Sequence, residues 1–307
     1  MTESKTPCHS FLGSVEMKQA VLGAGAIGGL VGTVLASLGE DVTVVVRAER
    51  LAEYPPNLYL ERPSGPLTAA ANAVAELTEP VDVLWIATKT YQLQTALKAV
   101  QVLPGCVVPL LNGVDHISLL RTQFGAKAVI PGTIAVEAEK AAPGRFIQRS
   151  PIVRLNLASS GEALLGGIIE RLGKLGFSCQ FIANEQTLLW GKLCFLGPFA
   201  LVTSASGMNG GEILADAGWR KKLSSAVAEA SAVANASGAE IDARKILASF
   251  EKAPPGMRSS MQKDLAAGRK LELDAIAGPI VRGGEQHGID ISTTVELIAE
   301  IRLKVAA

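Results

Sequence analysis

The sequence predicts an α/β protein in which a domain built on a parallel sheet precedes an all-helical domain. A strand–helix–strand unit occupies residues 18–46, and short apolar strands then alternate with helices to about residue 182. No convincing strand follows residue 184. Because crossovers through a helix join parallel strands, the first part should form a parallel sheet. We therefore expect a flexible lead over 1–16, a sheet domain over 17–183 and a helical domain over 184–307.

The bulk composition fits two folded domains and excludes several classes of partner. Apolar residues make up 48% of the 307 residues, and 29 basic residues balance 29 acidic ones. No excess of one charge favours nucleic acid or an anionic membrane. No apolar run reaches the roughly 20 residues of a membrane span, and residues 1–16 lack the pattern of a secretion signal.

The cysteine and histidine content indicates neither disulfides nor a metal site. The four cysteines, Cys8, Cys106, Cys179 and Cys194, are scattered without a CxxC pair, and there are three histidines. Reduced, mostly packed thiols are typical of a cytoplasmic protein. We therefore expect a cytoplasmic protein that binds no metal.

The elements of the first domain follow from its apolar runs. Residues 18–22 and 42–46 are predicted strands, and the helix between them begins at Ala26 and ends before Gly39, a residue typical of a C-terminal cap. The later elements are predicted strands at 81–87 and 106–111, a helix at 91–102, further strands within 128–139 and 144–157, a helix at 161–175 and a strand at 177–182.

The second domain consists of helical stretches. These are predicted at 185–196, 208–238, 242–252, 257–287 and 292–305. The segment 251–260 should be a turn between helices, because two consecutive prolines cannot continue one. A helical domain of this kind could support a homodimer.

The segment GAGAIG at 23–28 has the GxGxxG spacing of a Rossmann-like dinucleotide site. Gly23 allows a tight turn, Gly25 lets the backbone approach a pyrophosphate, and Gly28 lets the helix pack on the strand. Ala26 and Ile27 begin the helix whose free N–H groups would face the anion. The alternative is a tight strand–helix turn without a ligand.

The end of the second strand indicates which dinucleotide is bound. Arg47 stands where NAD-preferring sites usually carry an acid, and its guanidinium can bind the 2′-phosphate of NADP(H). Arg50 could assist. Lys89 follows the predicted strand 81–87, at the carboxyl edge where such sheets bind ligands, so it could contact a phosphate or ribose. The alternative for both Arg47 and Lys89 is a solvated surface charge.

Carbonyl reduction needs a proton donor as well as a hydride. Lys192 is the one charged residue between Leu188 and Val202, so it is either such a donor or a lysine at the edge of a buried helix. His116 and His287 are less suited, and His287 fits a C-terminal cap position before a glycine.

A second candidate group lies at 258–274. Ser259 or Ser260 could cap the following helix, and Glu272 would share a broad side of it with Ser260 if the helix were continuous. The alternative is a cap and a surface carboxylate.

Taken in order, several segments resemble the ketopantoate reductase (2-dehydropantoate 2-reductase) family, with this chain as a divergent member. They are GAGAIGG at 23–29, Arg47, TKTYQ at 88–92, LNGV at 111–114, LWGKL at 189–193, SSMQKDLAAGRKLELDAIAG at 259–278 and EQHGI at 285–289. The resemblance implies a Rossmann-like domain and a helical domain, with the active site between them. It also implies NADPH-dependent reduction of a 2-oxo acid to a 2-hydroxy acid. The first expectation is the reduction of 2-dehydropantoate to pantoate in pantothenate biosynthesis.

The resemblance also implies roles for individual residues. The glycines of the loop, Arg47 and Lys89 would contact NADPH. Lys192 would be the general acid and Glu272 would orient substrate. The implied substrate contacts are Asn112, which would also lie near the nicotinamide, Ser260 and Asn209, which is one residue short of the ungapped position at Gly210.

The substrate half of the chain departs from the family pattern. Leu196, Ala200 and Ala277 stand where the family has asparagines, and Gly197-Pro198 should disturb the helix after Lys192. A pocket that loses hydrogen-bonding partners discriminates less well between substrates. The alternatives are therefore a reductase of a different, more apolar 2-oxo acid, or an NADP(H)-binding regulatory protein without this catalysis.

Overall fold

The computed structural model describes residues 17–306, so the lead predicted for 1–16 lies outside the described residues. The strands are β1 (Lys18–Leu22), β2 (Asp41–Val45), β3 (Asn57–Glu61), β4 (Leu67–Ala70), β5 (Asn72–Val74), β6 (Val83–Ile86), β7 (Cys106–Pro109), β8 (Gly132–Ala135), β9 (Ala138–Ala142), β10 (Arg145–Gln148), β11 (Val153–Ala158) and β12 (Phe177–Ile182). The helices are α1 (Ala26–Ser37), α2 (Leu93–Leu97), α3 (His116–Phe124), α4 (Glu162–Lys174), α5 (Glu185–Ser206), α6 (Gly210–Ala215), α7 (Ala217–Ala236), α8 (Ala243–Glu251), α9 (Ser260–Ala266), α10 (Leu273–His287) and α11 (Ser292–Ala306).

A five-stranded parallel sheet forms the centre of the first domain. Its order is β5-β2-β1-β6-β7, and each neighbouring pair is parallel. The residues that follow β1, β2, β6 and β7 therefore meet at one edge, where doubly wound sheets bind ligands. This edge brings together the glycine loop, Arg47, Lys89 and Asn112.

Two smaller sheets flank the central one. One has the order β4-β3-β10-β9 and the other β12-β11-β8, and both mix parallel with antiparallel pairs. Helix α1 lies between the first of these and the central sheet. A Cβ on Gly29 would come within 2.0 Å of the Phe146 ring, so this glycine allows β10 to pack directly on the helix. Strands β3, β4 and β5 had no counterpart among the predicted elements.

The described part of the second domain contains only helices, as predicted, with α5 at its centre. Phe195 of α5 stacks on Phe250 of α8, with ring centroids 4.2 Å apart. By length and mean hydropathy (1.5) α5 could cross a membrane, and it is the one helix of residues 17–306 that could. However, 78% of the apolar stretch is buried inside the protein, so α5 is the core helix of this domain.

Four helix predictions were wrong in detail. The helix predicted at 91–102 is much shorter, because α2 covers only Leu93–Leu97. Helix α5 continues through Pro198 instead of being disturbed there. Gly197 beside it allows close packing, because a Cβ there would lie 3.2 Å from Ile280 of α10. The stretch 257–287 is two helices, since Gly268 adopts a left-handed backbone (φ +62°) after α9. The stretch 208–238 breaks at Asp216, which caps α7 by accepting from the Trp219 N–H.

Candidate active site

The glycine loop after β1 leaves room for a phosphate. Gly23 has φ +95°, and a Cβ there would lie 2.7 Å from Thr88. A Cβ on Gly28 would lie 2.1 Å from the Gly23 carbonyl oxygen, whereas one on Gly25 would meet nothing within 4 Å. No side chain caps the first turn of α1, so its leading N–H groups, around Ala26 and Ile27, are available to an anion. The loop therefore fits the diphosphate of a dinucleotide.

Arg47 lies just beyond β2 and points into solvent. Its side chain is 71% exposed, and its ion pair with Glu49 is long, at 3.5 Å. An exposed pair of this kind contributes little stability. The guanidinium is therefore free to exchange its partner for a phosphate.

Lys89 and Glu272 meet across the boundary between the domains. Glu272 immediately precedes α10 and is 5% exposed. Its carboxylate accepts hydrogen bonds from Lys89 Nζ at 2.9 Å, Asn112 Nδ2 at 3.2 Å and the Thr90 N–H at 3.0 Å. Lys89 also donates to Asp264 of α9 at 3.1 Å. We call these five residues the interdomain clamp.

The clamp keeps the Lys89 ammonium charged. Burial lowers the pKa of Lys89, but the charges and hydrogen bonds of Glu272 and Asp264 outweigh burial and raise it above its ordinary value. Lys89 was predicted as a phosphate or ribose contact, whereas the structure ties it to two carboxylates of the other domain. The sequence analysis considered a continuous helix that carries both Ser260 and Glu272. Instead, Ser260 begins α9 and Glu272 immediately precedes α10.

Lys192 is half-buried on α5, near enough to Glu272 for that charge to act on its amine. Burial lowers the pKa of Lys192 to about 8, and the negative charge of Glu272 acts in the opposite direction. The amine therefore stays mostly protonated at neutral pH but releases its proton more readily than an ordinary lysine. The structure brings this residue close to Glu272, as a shared site requires.

His116 is a neighbour of Lys192 that the sequence did not favour. It is 4% exposed at the start of α3, and neither ring nitrogen has a hydrogen-bond partner within the described chain. Burial and the charge of Lys192 lower the pKa of His116 to about 4, so the ring is neutral at pH 7. His287 occupies the predicted cap position, before Gly288 with φ +64°.

Two predicted substrate contacts have different local environments. Asn209 caps α6, because its side-chain oxygen accepts from the Glu212 N–H at 3.0 Å. Ser260 is exposed on the first turn of α9, and the cap of that helix is its buried neighbour Ser259, whose hydroxyl accepts from the Gln262 N–H. The Ser260 hydroxyl has no hydrogen-bond partner among residues 17–306, so it is available to a ligand.

The three positions that depart from the family pattern differ in how deeply they are buried. Ala200 and Ala277 are completely or almost completely buried and pack in one apolar cluster of the helical domain. Leu196 is only half-buried, one turn after Lys192 on α5. Of the three, Leu196 is therefore the one placed to affect a ligand beside Lys192.

Comparison with known proteins decides the family. The family model described as ketopantoate reductase PanE/ApbA matches residues 19–160, and the model for its C-terminal part matches residues 184–305. The chain belongs to the ketopantoate reductase family. The 2-dehydropantoate 2-reductase of Caulobacter vibrioides is 32% identical over 293 residues, which cover 91% of this chain and 96% of that protein. The 2-dehydropantoate 2-reductase of Archaeoglobus fulgidus is 26% identical over 288 residues, which cover 92% of this chain and 96% of that protein.

Solved structures agree on the fold of this ketopantoate reductase family member. The 2-dehydropantoate 2-reductase of Geobacter metallireducens superposes with a TM-score of 0.84 at 22% identity, covering 94% of this chain and 99% of that one. The structure of D-mandelate dehydrogenase with NADH and anilino(oxo)acetate superposes with a TM-score of 0.82 at 24% identity, again covering 94% of this chain and 99% of that one. The predicted Rossmann-like fold class is confirmed, as is the predicted family.

Membership also confirms the predicted class of enzyme. The chain is a nicotinamide-dependent oxidoreductase that reduces a 2-oxo acid to a 2-hydroxy acid. The sequence prediction missed the parts played by Thr90 and Asp264 in the clamp. Both lie within segments that carried the family resemblance, TKTYQ and SSMQKD, and this was the available signal.

Proposed function

We propose that this chain is an NADPH-dependent 2-dehydropantoate 2-reductase that forms pantoate. One observation carries the proposal: burial lowers the pKa of Lys192 to about 8, and the buried carboxylate Glu272, at the boundary between the two domains, is near enough for its charge to act on the amine. The family's curated relatives named 2-dehydropantoate 2-reductase, including the protein of Caulobacter vibrioides, support the choice of substrate.

The residues of the sheet edge would hold the cofactor. Gly23, Gly25 and Gly28 shape the loop for the diphosphate, and Arg47 would bind the 2′-phosphate that distinguishes NADPH from NADH. When bound, the reduced nicotinamide supplies the hydride. The rest of the chemistry belongs to the protein.

Lys192 would protonate the substrate oxygen as negative charge develops on it. A general acid works best with a pKa near the working pH, and burial brings the amine into that range. The charge of Glu272 keeps a sufficient fraction protonated. Loss of the proton leaves a neutral amine, which the half-buried site favours.

The clamp and its neighbours would fix the substrate. Glu272 holds the Asn112 side chain in place at 3.2 Å, close to the predicted position of the nicotinamide and substrate. Ser260 offers a free hydroxyl at the start of α9, and Asn209 can still donate from its amide while its oxygen caps α6. These contacts would orient the 2-oxo acid toward Lys192.

A second candidate substrate is a more apolar 2-oxo acid. Leu196 presents a side chain without hydrogen-bonding groups one turn from Lys192, where the family pattern has an asparagine. A structural relative, D-mandelate dehydrogenase, was solved with anilino(oxo)acetate, an oxo acid carrying an aromatic ring. An apolar pocket wall discriminates only weakly against substrates that differ by a methylene group.

The test is a kinetic survey of the wild-type chain. Oxidation of NADPH and of NADH is followed with 2-dehydropantoate and with 2-oxo acids of increasing apolar side chain. The highest kcat/KM with NADPH and 2-dehydropantoate supports the first candidate, and a maximum at an apolar acid supports the second. Tight NADPH binding without turnover of any 2-oxo acid would instead favour a regulatory binding protein.

A further inference from the structure

Three cations, Lys140, Arg47 and Arg50, lie close together beside the glycine loop, and Tyr54 contacts Lys140. The Tyr54 hydroxyl donates to the carbonyl oxygen of Ala24 at 3.0 Å and accepts from Lys140 Nζ at 2.8 Å. Lys140 Nζ also lies 5.0 Å from the centroid of the Tyr54 ring. Arg47 and Arg50 are close enough for their charges to act on Lys140. Tyr54 therefore fixes the ammonium of Lys140 at the border of the dinucleotide loop.

The charges of this group are not balanced within the described chain. Arg50 pairs with Glu53 at 2.8 Å and Arg47 with Glu49 at 3.5 Å, whereas Lys140 forms no ion pair with a carboxylate of residues 17–306. In addition, the Nε of Arg50 is buried without an acceptor among those residues. Burial, followed by the charges of Arg50 and Arg47, lowers the pKa of Lys140, and the charge of Glu53 only partly offsets them. An anion placed among the three cations would relieve this repulsion.

The position of the group indicates which phosphate it would bind. The dinucleotide diphosphate belongs at the N-terminus of α1, where Gly25 leaves open space. Arg47 and Arg50 instead follow β2, the position at which Rossmann-like folds recognise the adenosine ribose. Lys140 reaches this place from β9 of the flanking sheet, about 90 residues along the chain from either arginine.

We propose that Lys140, held by Tyr54, is a third ligand of the ribose 2′-phosphate of NADP(H), together with Arg47 and Arg50. The inference rests on the proposed preference for NADPH and adds a specificity-determining residue to it. Lys140 would contribute to binding only when the 2′-phosphate is present. Removing Lys140 should therefore weaken the binding of ligands that carry a 2′-phosphate and leave the binding of ligands without one unchanged.

The experiment measures binding of 2′,5′-ADP, 5′-ADP and 5′-AMP by calorimetry, so that no turnover is needed. For Lys140→Gln, affinity for 2′,5′-ADP should fall at least about tenfold while 5′-AMP and 5′-ADP bind as to wild type. Lys140→Arg should keep most of the affinity. The matched control is Lys174→Gln, which removes an exposed lysine paired with Glu170 on α4.

Each other outcome has a definite meaning. Equal losses for 2′,5′-ADP and 5′-AMP, or no loss for either, would overturn the role of Lys140 while leaving the proposed function intact. A loss for 5′-ADP as large as that for 2′,5′-ADP would assign Lys140 to the diphosphate and also overturn it. Wild-type protein that binds 2′,5′-ADP no better than 5′-AMP would remove the preference for NADPH itself, and the role of Lys140 with it.

Discussion

The two sides of the site differ in how their polar groups are engaged. On the dinucleotide side Gly25 borders open space, and Arg47 keeps a weak, exposed ion pair. On the substrate side Lys89 and Asn112 both donate to Glu272 across the domain boundary. The first side is shaped by local backbone geometry and is ready for a ligand, whereas the second depends on both domains being correctly placed.

The largest effect should follow from removing the proposed acid. Lys192→Met deletes the ammonium but keeps much of the apolar stem, so kcat for carbonyl reduction should fall by about 10²–10⁴-fold. The affinity for NADPH should change little, because the glycine loop and Arg47 are separate from α5. Steady-state kinetics and NADPH titration measure the two effects, with Lys174→Met as control. A variant that kept the wild-type rate would show that another group donates the proton.

The dinucleotide side is tested by reversing one charge. Arg47→Asp should weaken NADPH binding by about a hundredfold, because it removes a charge-assisted contact and introduces repulsion. Binding of NADH should change much less, since an acid at this strand end can accept from the ribose hydroxyls. Fluorescence titration with both cofactors gives the ratio. Equal losses would contradict a contact with the 2′-phosphate.

The pH dependence of the rate distinguishes Lys192 from an ordinary lysine. The protonated amine is the active form for reduction, so kcat should be level below pH 8 and fall about tenfold per unit above it. Oxidation of the 2-hydroxy acid needs the neutral amine and should rise toward the same pH. Profiles in both directions check this expectation. A decline in reduction beginning only near pH 10.5, the ordinary lysine value, would contradict the effect of burial.

The smallest expected effect concerns substrate choice. Leu196→Asn restores an amide one turn from Lys192 and should raise kcat/KM for 2-dehydropantoate relative to an apolar 2-oxo acid by about three- to tenfold. Ala200→Asn is the informative comparison, because it places an amide in the packed core and should lower stability instead. An unchanged substrate ratio in Leu196→Asn would remove this position from the specificity argument.

The same contrast explains what could be predicted from the sequence. Gly23, Gly25, Gly28 and Arg47 lie in or directly after one strand–helix–strand unit, so their spacing after a strand predicted where they lie relative to one another. The Lys89–Glu272 contact joins residues 183 positions apart, and no local pattern specifies such a pair. The resemblance placed both residues in one site but did not show that they bind each other.

Some failures came from signals that were present but given too little weight. Gly268 marked the end of α9, and reading it as a cap would have divided the stretch 257–287 correctly. Pro198 was read as a helix breaker, but burial against α10 stabilises α5 around it. His116 was judged less suited because it follows a loop, whereas its proximity to Lys192, 76 positions along the chain, depends on the tertiary structure.

Because Glu272 is hydrogen-bonded across the domain boundary, the length of its side chain affects how the two domains are spaced. A single carboxylate bridges the two domains, with its backbone in one and its donors in the other. The spacing of the two domains at this point is thus set in part by two methylene groups. An aspartate at this position would keep the charge but shorten the tether, and every distance between hydride donor and proton donor would have to readjust to it.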